Sequence, residues 1–436
     1  MRSSLFLLAI LPSAALAQAA PPIRLINAPD ASTKPQFGLV TGVRQLPSGG
    51  VLVNDALKRQ LTMFDATLAN PTVVADSVSG GANSYGTRPG GLIPYHGDST
   101  LFVDPAGLSM FVLDGKGAIA RVASVPRSQD AGAFASGAPR LDAKGRIVYR
   151  GGGGPQRITA SARPNNGAAN NGPVIQMPEP PDSAAVVRID PVSRKLDTAA
   201  FIKIPKTKMN MTQTDGRMSV SIEMNPLQVI DDWAVLSDGS VAVIRGRDYH
   251  IDWINADGST TTTPKLPFDW QRLSDEDKVA LIDSAKAAME RSRTTMAGGP
   301  GGAAVMGGAG AERGMVVFNA MADGAGQRTM VAGGPGGPGG PQVQFVSPSE
   351  LPDYRPPFAA SAALGDADGN LWIRTTSVRA GAVNAGPIYD VISRKGEVID
   401  RVQVPAGRSI VGFGQGGVVY MIARDERGTW VERTKR

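Results

Sequence analysis

The segment Asp238–Gly246, DGSVAVIRG, has a near copy at Asp368–Thr375, DGNLWIRT, and looser echoes at Ala143–Gly151, AKGRIVYRG, and Ser48–Asp55, SGGVLVND. Each is a tight turn, then a short apolar run, then an arginine or an acidic residue. Asp, Asn and Gly tolerate tight-turn dihedrals and satisfy the backbone locally, so the unit reads as a hairpin turn feeding a buried strand. Aligning Gly49, Asp98, Gly145, Gly239, Gly369 and Gly417 gives steps of 49, 47, 94, 130 and 48 residues, three of them near 48 and two lengthened by low-complexity insertions. Periodicity of that length marks a solenoid or a propeller.

Each unit carries the same parts. An extended segment precedes the turn, as in VTGVRQLP or DDWAVLS. A short apolar strand follows it: Val51–Val53, Leu101–Val103, Ile147–Tyr149, Val241–Ile244, Leu371–Ile373 and Val418–Ile422. A third strand ends in a second turn, as in MFVLDGKG or YDVISRKG, and a fourth follows, as in EVIDRVQV. Four short antiparallel strands in each of six repeats predict an all-β, six-bladed β-propeller. The last unit stops after its third strand, TWVERTK, while the N-terminal segment Ile23–Ala28 is a strand to spare. Pairing the two would close the ring and remove two open edges.

The run GVRQLPSGGVLVNDALKRQLTMFD, Gly42–Asp65, resembles the six-bladed TolB-like and NHL-type propeller superfamily, and within it the exported bacterial propellers. The resemblance covers most of residues 22–436 outside the insertions and implies one propeller domain. It implies no single activity, because the fold hosts binding proteins, lactonases, lyases and scaffolds.

The first residues, MRSSLFLLAILPSAALAQAA, place Arg2 before the apolar run Leu5–Leu11 and the small-residue signal Ala15-Leu16-Ala17. That is the anatomy of a secretory signal peptide spanning residues 1–17. The run falls short of the roughly 20 residues a spanning helix needs. The protein is therefore expected to be exported, to the periplasm or beyond, without membrane insertion. There is no cysteine, so no disulfide stabilises it and no lipid can be attached to one. The formal charge of +6 suits anionic partners without demanding nucleic acid, and none is expected.

Residues 151–183 and 297–341, with runs such as AGGPGGAAVMGGAG and GGPGGPGGP, have the composition of disordered surface loops. Between them lies one predicted helix over 271–293. Ser274 caps it, and Asp275, Glu276 and Asp277 stand at its positive end. Val279, Ile282, Ala285 and Met289 would face a blade.

Familiar catalytic motifs are missing. Only His96 and His250 could ligate zinc beside carboxylates, too few for a usual structural cluster. GDADGNLW at Gly365–Trp372 has its glycine at the wrong place for a calcium loop and reads as a turn. GFGQGG at Gly412–Gly417 leads into a strand, so no helix N-terminus stands behind it to bind a pyrophosphate.

Two sets of residues carry functional expectations. The second strands end near Asp55, Asp104, Arg150, Arg245, Arg374 and Arg424, on one common face. With Arg88, Arg247, Arg355, Tyr249 and His250 on nearby loops, the arginines would form a rim for an anionic ligand, since the guanidinium fork matches carboxylate, phosphate and sulfate. The competing reading is that these arginines cover apolar surface with their stems and pair with nearby aspartates. The second set is Glu223, Asn225, Asp231 and Asp232, oxygen-rich and the candidate ligands of a calcium ion; otherwise no cofactor is expected. The reading that follows is an exported binding or scaffolding propeller for a small anionic molecule, a glycan or an envelope protein. Its alternative is a calcium-assisted hydrolase, lactonase or lyase with its site at the channel mouth.

Overall fold

All six turns read from the sequence join the first and second strands of a sheet. The computed structural model describes residues 20–436 except 35, 79–80, 82, 87, 89, 137–138, 152–158, 162–173, 177–180, 207, 215–216, 298–316, 321–327, 332–341 and 377–385. The segment read as a signal peptide and most of both glycine-rich insertions lie outside those residues.

Six antiparallel sheets follow one another along the chain. Blade 1 is Val40–Gln45, Val51–Asp55, Gln60–Phe64 and Thr72–Asp76, and blade 2 is Gly91–Pro94, Thr100–Asp104, Ser109–Leu113 and Ile119–Ser124. Blade 3 is Arg140–Leu141, Ile147–Arg150, Ser183–Ile189 and Leu196–Lys203. Blade 4 is Asp232–Val235, Val241–Arg245, His250–Ile254 and Thr260–Thr262. Blade 5 is Phe358–Gly365, Leu371–Thr375, Ile388–Ile392 and Val398–Gln403, and blade 6 is Arg408–Phe413, Val418–Asp425 and Gly428–Lys435. The protein is a six-bladed β-propeller. The first strands of blades 6, 1, 2 and 3 lie against one another in turn, and so do those of blades 4 and 5. We call the face bearing the second-to-third-strand hairpins upper, and the face bearing the first turns lower.

Six apolar clusters fill the six interfaces between blades. The cluster joining blade 6 to blade 1 packs Tyr420 and Val431 against Val51, Val53 and Phe64, so the ring is closed. The second strands are buried on both faces, which is why they read as unbroken apolar runs.

Closure uses the N-terminal segment, a few residues later than expected. Ile23–Leu25 pairs in parallel with the outer strand of blade 5, as a fifth strand there. Ala31–Ser32 is the strand that pairs antiparallel with Gly428–Lys435 and completes blade 6. The ladder continues through Asp30 N–H to Arg433 O and Thr33 N–H to Val431 O, both 2.9 Å. Spare edges on two adjacent blades are covered by one segment, with Ile26 buried between them.

The insertion after residue 150 falls between the second and third strands of blade 3, and its described residues include a hairpin pairing Thr159–Ser161 with Val174–Gln176. Within 297–341, Val317–Ala320 pairs with Arg328–Val331. Segments inserted on either side of blade 4 meet: Lys208–Thr214 and Arg217–Met224 form a hairpin, and Gln342–Phe345 joins it in parallel.

The predicted helix runs over Asp275–Ala297. Ser274 Oγ accepts the Asp277 N–H at 3.2 Å and Asp277 returns the bond to Ser274 N–H at 3.0 Å, a reciprocal cap. Ile282, Ala285 and Met289 lie toward its buried side as expected, and Lys278 takes the place expected of Val279. Val279 is exposed, while Ile282 packs against Val346 and Leu351, and Lys278 is buried in a bond to Asp353 at 2.9 Å. A second, six-residue helix, Ala131–Ser136, carries the buried Phe134 into the interface of blades 2 and 3.

Candidate functional site

In blades 1, 2 and 4 the charged residue that ends the second strand is a latch. Asp55 accepts the N–H groups of Gly38 and Leu39, 2.8 and 3.0 Å, and those of Leu57 and Lys58, 3.1 and 3.0 Å. Asp104 accepts Gly86 N–H at 3.1 Å and Ala106 N–H at 3.0 Å. In blade 4 Arg245 does the same work with opposite sign: Nη1 bonds Asp231 at 2.8 Å and Phe201 O at 3.0 Å, and Nε bonds Asp252 at 2.8 Å. In each case the second strand grips the segment entering the innermost strand. Gly246 is glycine for the same reason, because a Cβ there would stand 1.9 Å from Ile230 O.

The other expected rim residues divide among separate places. Arg150 is near Asp232 at the top of the channel wall. Arg374 lies beside Tyr389, and Arg424 bonds Thr429 at 3.1 Å and Gly38 O at 3.4 Å. Arg88 is exposed ahead of blade 2, and Arg355 donates to Gln271 at 2.9 Å. Tyr249 is no ligand platform: it is fully buried against Phe268 and Phe358 between blades 4 and 5.

Arg245, Arg247 and His250 do converge, in an upper-face cleft beside blade 4. One lobe, about 520 Å³, is lined by Lys203, Val229, Asp231, Arg245, Arg247, Asp248 and His250. A second, about 410 Å³, shares Val229, Arg247 and Asp248 with the first and adds Lys265, Trp270, Asp353 and Tyr354 from the chain inserted between blades 4 and 5. Its floor is a network. His250 Nδ1 lies 2.8 Å from Asp248 and its Nε2 lies 3.6 Å from Asp252, which also bonds Arg245 and accepts from Thr262 Oγ1 at 2.7 Å. Burial opposes ionisation of Asp252, but the bonds from Thr262 and Arg245 overcome it and hold this carboxyl below the usual range.

Every carboxylate lining the cleft thus has a partner: Asp231 has Arg245, Asp248 has His250, and Asp353 has Lys278. Lys203, Arg247 and Lys265 are exposed, and their side chains make no hydrogen bond or ion pair among the described residues. Trp270 and Tyr354 are 42% and 47% exposed, Trp270 packed edge-to-face with Phe268 at 5.4 Å, so two part-exposed aromatic rings stand beside these cations. Lys203, Lys265, Trp270 and Tyr354 carry no repeat signature; they come from an outer strand and an insertion that only folding brings to the hairpin Gly246–Tyr249.

The four expected calcium ligands have different partners. Glu223 bonds Lys208 at 3.0 Å, Asn225 closes a turn on Leu227 N–H at 2.9 Å, and Asp231 pairs with Arg245. No three His, Asp or Glu side chains converge as a metal site among the described residues.

Asp232 is buried in the channel wall. It accepts Trp233 N–H at 2.9 Å and the N–H groups of Ala362 and Ala363 at 2.6 and 3.0 Å, bracing a bulge where Ser361 sits at φ 58°. Burial pushes its carboxyl up to about 6, against these donors and the charge of Arg150. The folded chain therefore keeps a proton that the unfolded chain loses near the ordinary 3.8. The stabilising influence of that proton is complete at pH below this value and is lost as pH rises through about 6, an effect on the order of 3 kcal/mol. We expect Asp232→Asn to gain stability relative to the parent by roughly that amount between about pH 4 and pH 7. Parallel unfolding curves for the two proteins across this range would contradict the assignment.

No family profile matches the chain, and no curated protein matches it. Solved structures similar to it include a Bacteroides fragilis protein whose name describes it as exported, 8% identical, covering 97% of this chain and 96% of that one at a TM-score of 0.38. Another is a gluconolactonase from Xanthomonas campestris, 10% identical over 96% and 99% of the two chains, TM-score 0.37. A third is virginiamycin B lyase from Staphylococcus aureus, 11% identical over 91% and 95%, TM-score 0.32. At these identities and scores the likeness assigns neither a substrate nor a reaction to this chain.

Proposed function

We propose that this protein is an exported binding propeller that holds an acidic saccharide in the upper-face cleft beside blade 4. The observation that carries the reading is the combination of Lys203, Arg247 and Lys265, unpaired among the described residues, with the part-exposed rings of Trp270 and Tyr354, beside carboxylates that each have a partner of their own. Cations select carboxylate or sulfate groups, and aromatic faces take the apolar sides of sugar rings. Export rests on the leader read in residues 1–17.

Calorimetric titration of the mature protein with oligogalacturonates and with neutral malto-oligosaccharides tests this. Binding should be confined to the acidic series and weaken with added salt. Arg247→Ala should weaken it about 10–100-fold, the value of a charge-assisted hydrogen bond. Equal affinity for the neutral series, or indifference to Arg247→Ala and Trp270→Ala together, would overturn the proposal.

A further inference from the structure

The two lobes of the cleft lie on either side of one ridge and differ in chemistry. The ridge is the upper hairpin Gly246–Tyr249, whose Arg247 and Asp248 line both lobes. Its foot is Tyr249, fully buried at φ 50°. Lys203 lines only the first lobe. It ends the outer strand of blade 3 and is tied to blade 4 through its backbone: Lys203 N–H donates to Asp231 Oδ2 at 3.0 Å, and Asp231 N–H to Lys203 O at 2.8 Å. Lys265, Trp270 and Tyr354 line only the second lobe. Leu266 N–H, next to Lys265, donates to Tyr249 O at 2.7 Å. The Trp270 ring packs on Phe268 at 5.4 Å and Phe268 on Tyr249 at 5.7 Å, so its place is set from the buried foot of the ridge. Tyr354 sits in a short ladder, between Leu273 N–H to Asp353 O at 2.8 Å and Arg355 N–H to Gln271 O at 2.9 Å.

These placements restrict the ligand. A carboxylate has two oxygens, and the guanidinium fork of Arg247 matches both. One acidic unit seated on Arg247 therefore leaves a lysine in each lobe without a counter-charge, and matching all three cations takes acidic groups on more than one unit. The lobes are also unequal toward a sugar ring. Beside its two aromatic rings, the second lobe has Asp248 and Asp353, whose side chains are 39% and 75% exposed. Each is held through Oδ1, to His250 at 2.8 Å and to Lys278 at 2.9 Å, which leaves Oδ2 to accept a sugar hydroxyl. The first lobe has no Phe, Trp or Tyr in its lining. Its Asp231 is filled, accepting from Lys203 N–H, Arg245 Nη1 and Gly246 N–H.

We propose that the cleft reads a saccharide of at least two uronate units. One ring sits in the second lobe against Trp270 and Tyr354, Arg247 takes a carboxylate at the junction, and the next unit presents its carboxylate to Lys203 in the first lobe. The second lobe is the primary subsite, because ring and hydroxyl contacts are made there and the first adds only charge. This rests on the cleft being the acidic-saccharide site proposed above, and adds to it a minimum length and an order of subsites.

The test is calorimetric titration of the mature protein with mono-, di- and trigalacturonate and with inorganic tripolyphosphate, a polyanion with neither ring faces nor sugar hydroxyls. Affinity should rise about 10-fold or more from monomer to dimer, and tripolyphosphate should bind about 10-fold or more weakly than the trimer. Lys203→Ala should cost the monomer less than about twofold and the trimer about fivefold. Trp270→Ala should weaken all three saccharides by a similar factor. Both side chains are exposed, so neither substitution is expected to disturb the fold. A monomer as tight as the trimer, or a Lys203→Ala loss equal at every length, would overturn the two-lobe site and leave the acidic-saccharide reading standing. Tripolyphosphate as tight as the trimer would overturn the ring-binding subsite. No binding of any of the three saccharides would overturn that reading, and the two-lobe site with it.

Discussion

Replacement of Trp372 by alanine should destabilise the protein by about 3–5 kcal/mol, the cost of removing a large aromatic side chain from a packed interior. Trp372 is 1% exposed, in the interface between blades 5 and 6. Its ring lies 5.1 Å from that of Phe413 in the next blade and 6.1 Å from that of Tyr389 in its own. Its Nε1 donates to Asp366 Oδ2 at 3.0 Å, so the same residue fills the interface and helps close the first turn of its blade. Alanine would leave a cavity and take one donor from a buried carboxylate, and the two losses add. Trp372→Phe keeps most of the volume and loses only the donor, and should cost about 1–3 kcal/mol. Denaturant unfolding measures both. A loss below about 1 kcal/mol for Trp372→Ala would mean that this interface does not hold the two blades together.

Deletion of residues 20–34 should have a still larger effect, replacing one cooperative transition with partial unfolding that begins at blade 6. The deleted segment supplies the outer strand of blade 6 and the added strand of blade 5. It also supplies the buried Ile26 and Thr33, and the Arg24–Asp400 and Arg433–Asp30 ion pairs. Without it two sheet edges open at adjacent blades, and the interface packing Val53 against Val431 loses its outer cover. The expected signature is a lower midpoint with a reduced denaturant slope, because less surface is released in the main transition. Adding the synthetic segment 20–37 in trans should restore part of the loss, since its contacts with the ring are non-covalent. A truncated protein with unchanged midpoint and slope would show that closure contributes nothing.

Much of the architecture was legible because turn chemistry and strand period are local. Gly49, Gly145, Gly239 and Gly369 adopt positive φ in the turns their sequence neighbours announce, and each second strand lies where the apolar run stands. The helix cap was legible for the same reason, as Ser274 and Asp277 are three residues apart. Ile282 was placed correctly, but the buried place expected of Val279 goes to Lys278, whose partner Asp353 arrives from more than fifty positions away. The N-terminal strand was assigned to the right junction but the wrong residues, since Ile23–Leu25 and Ala31–Ser32 are both short and differ only in which blade edge reaches them.

The sequence by itself determined the repeat, the number of blades and the latching positions at the ends of the second strands, because turns and apolar alternation act over a few residues. Only the tertiary structure decided what those charged positions do. Arg245 is occupied by Asp231 and Asp252, while Arg247, two residues on, has no partner among the described residues and lines a cleft with Trp270 and Tyr354. Charge is written in the chain, but whether a charge is paired depends on what closure brings beside it.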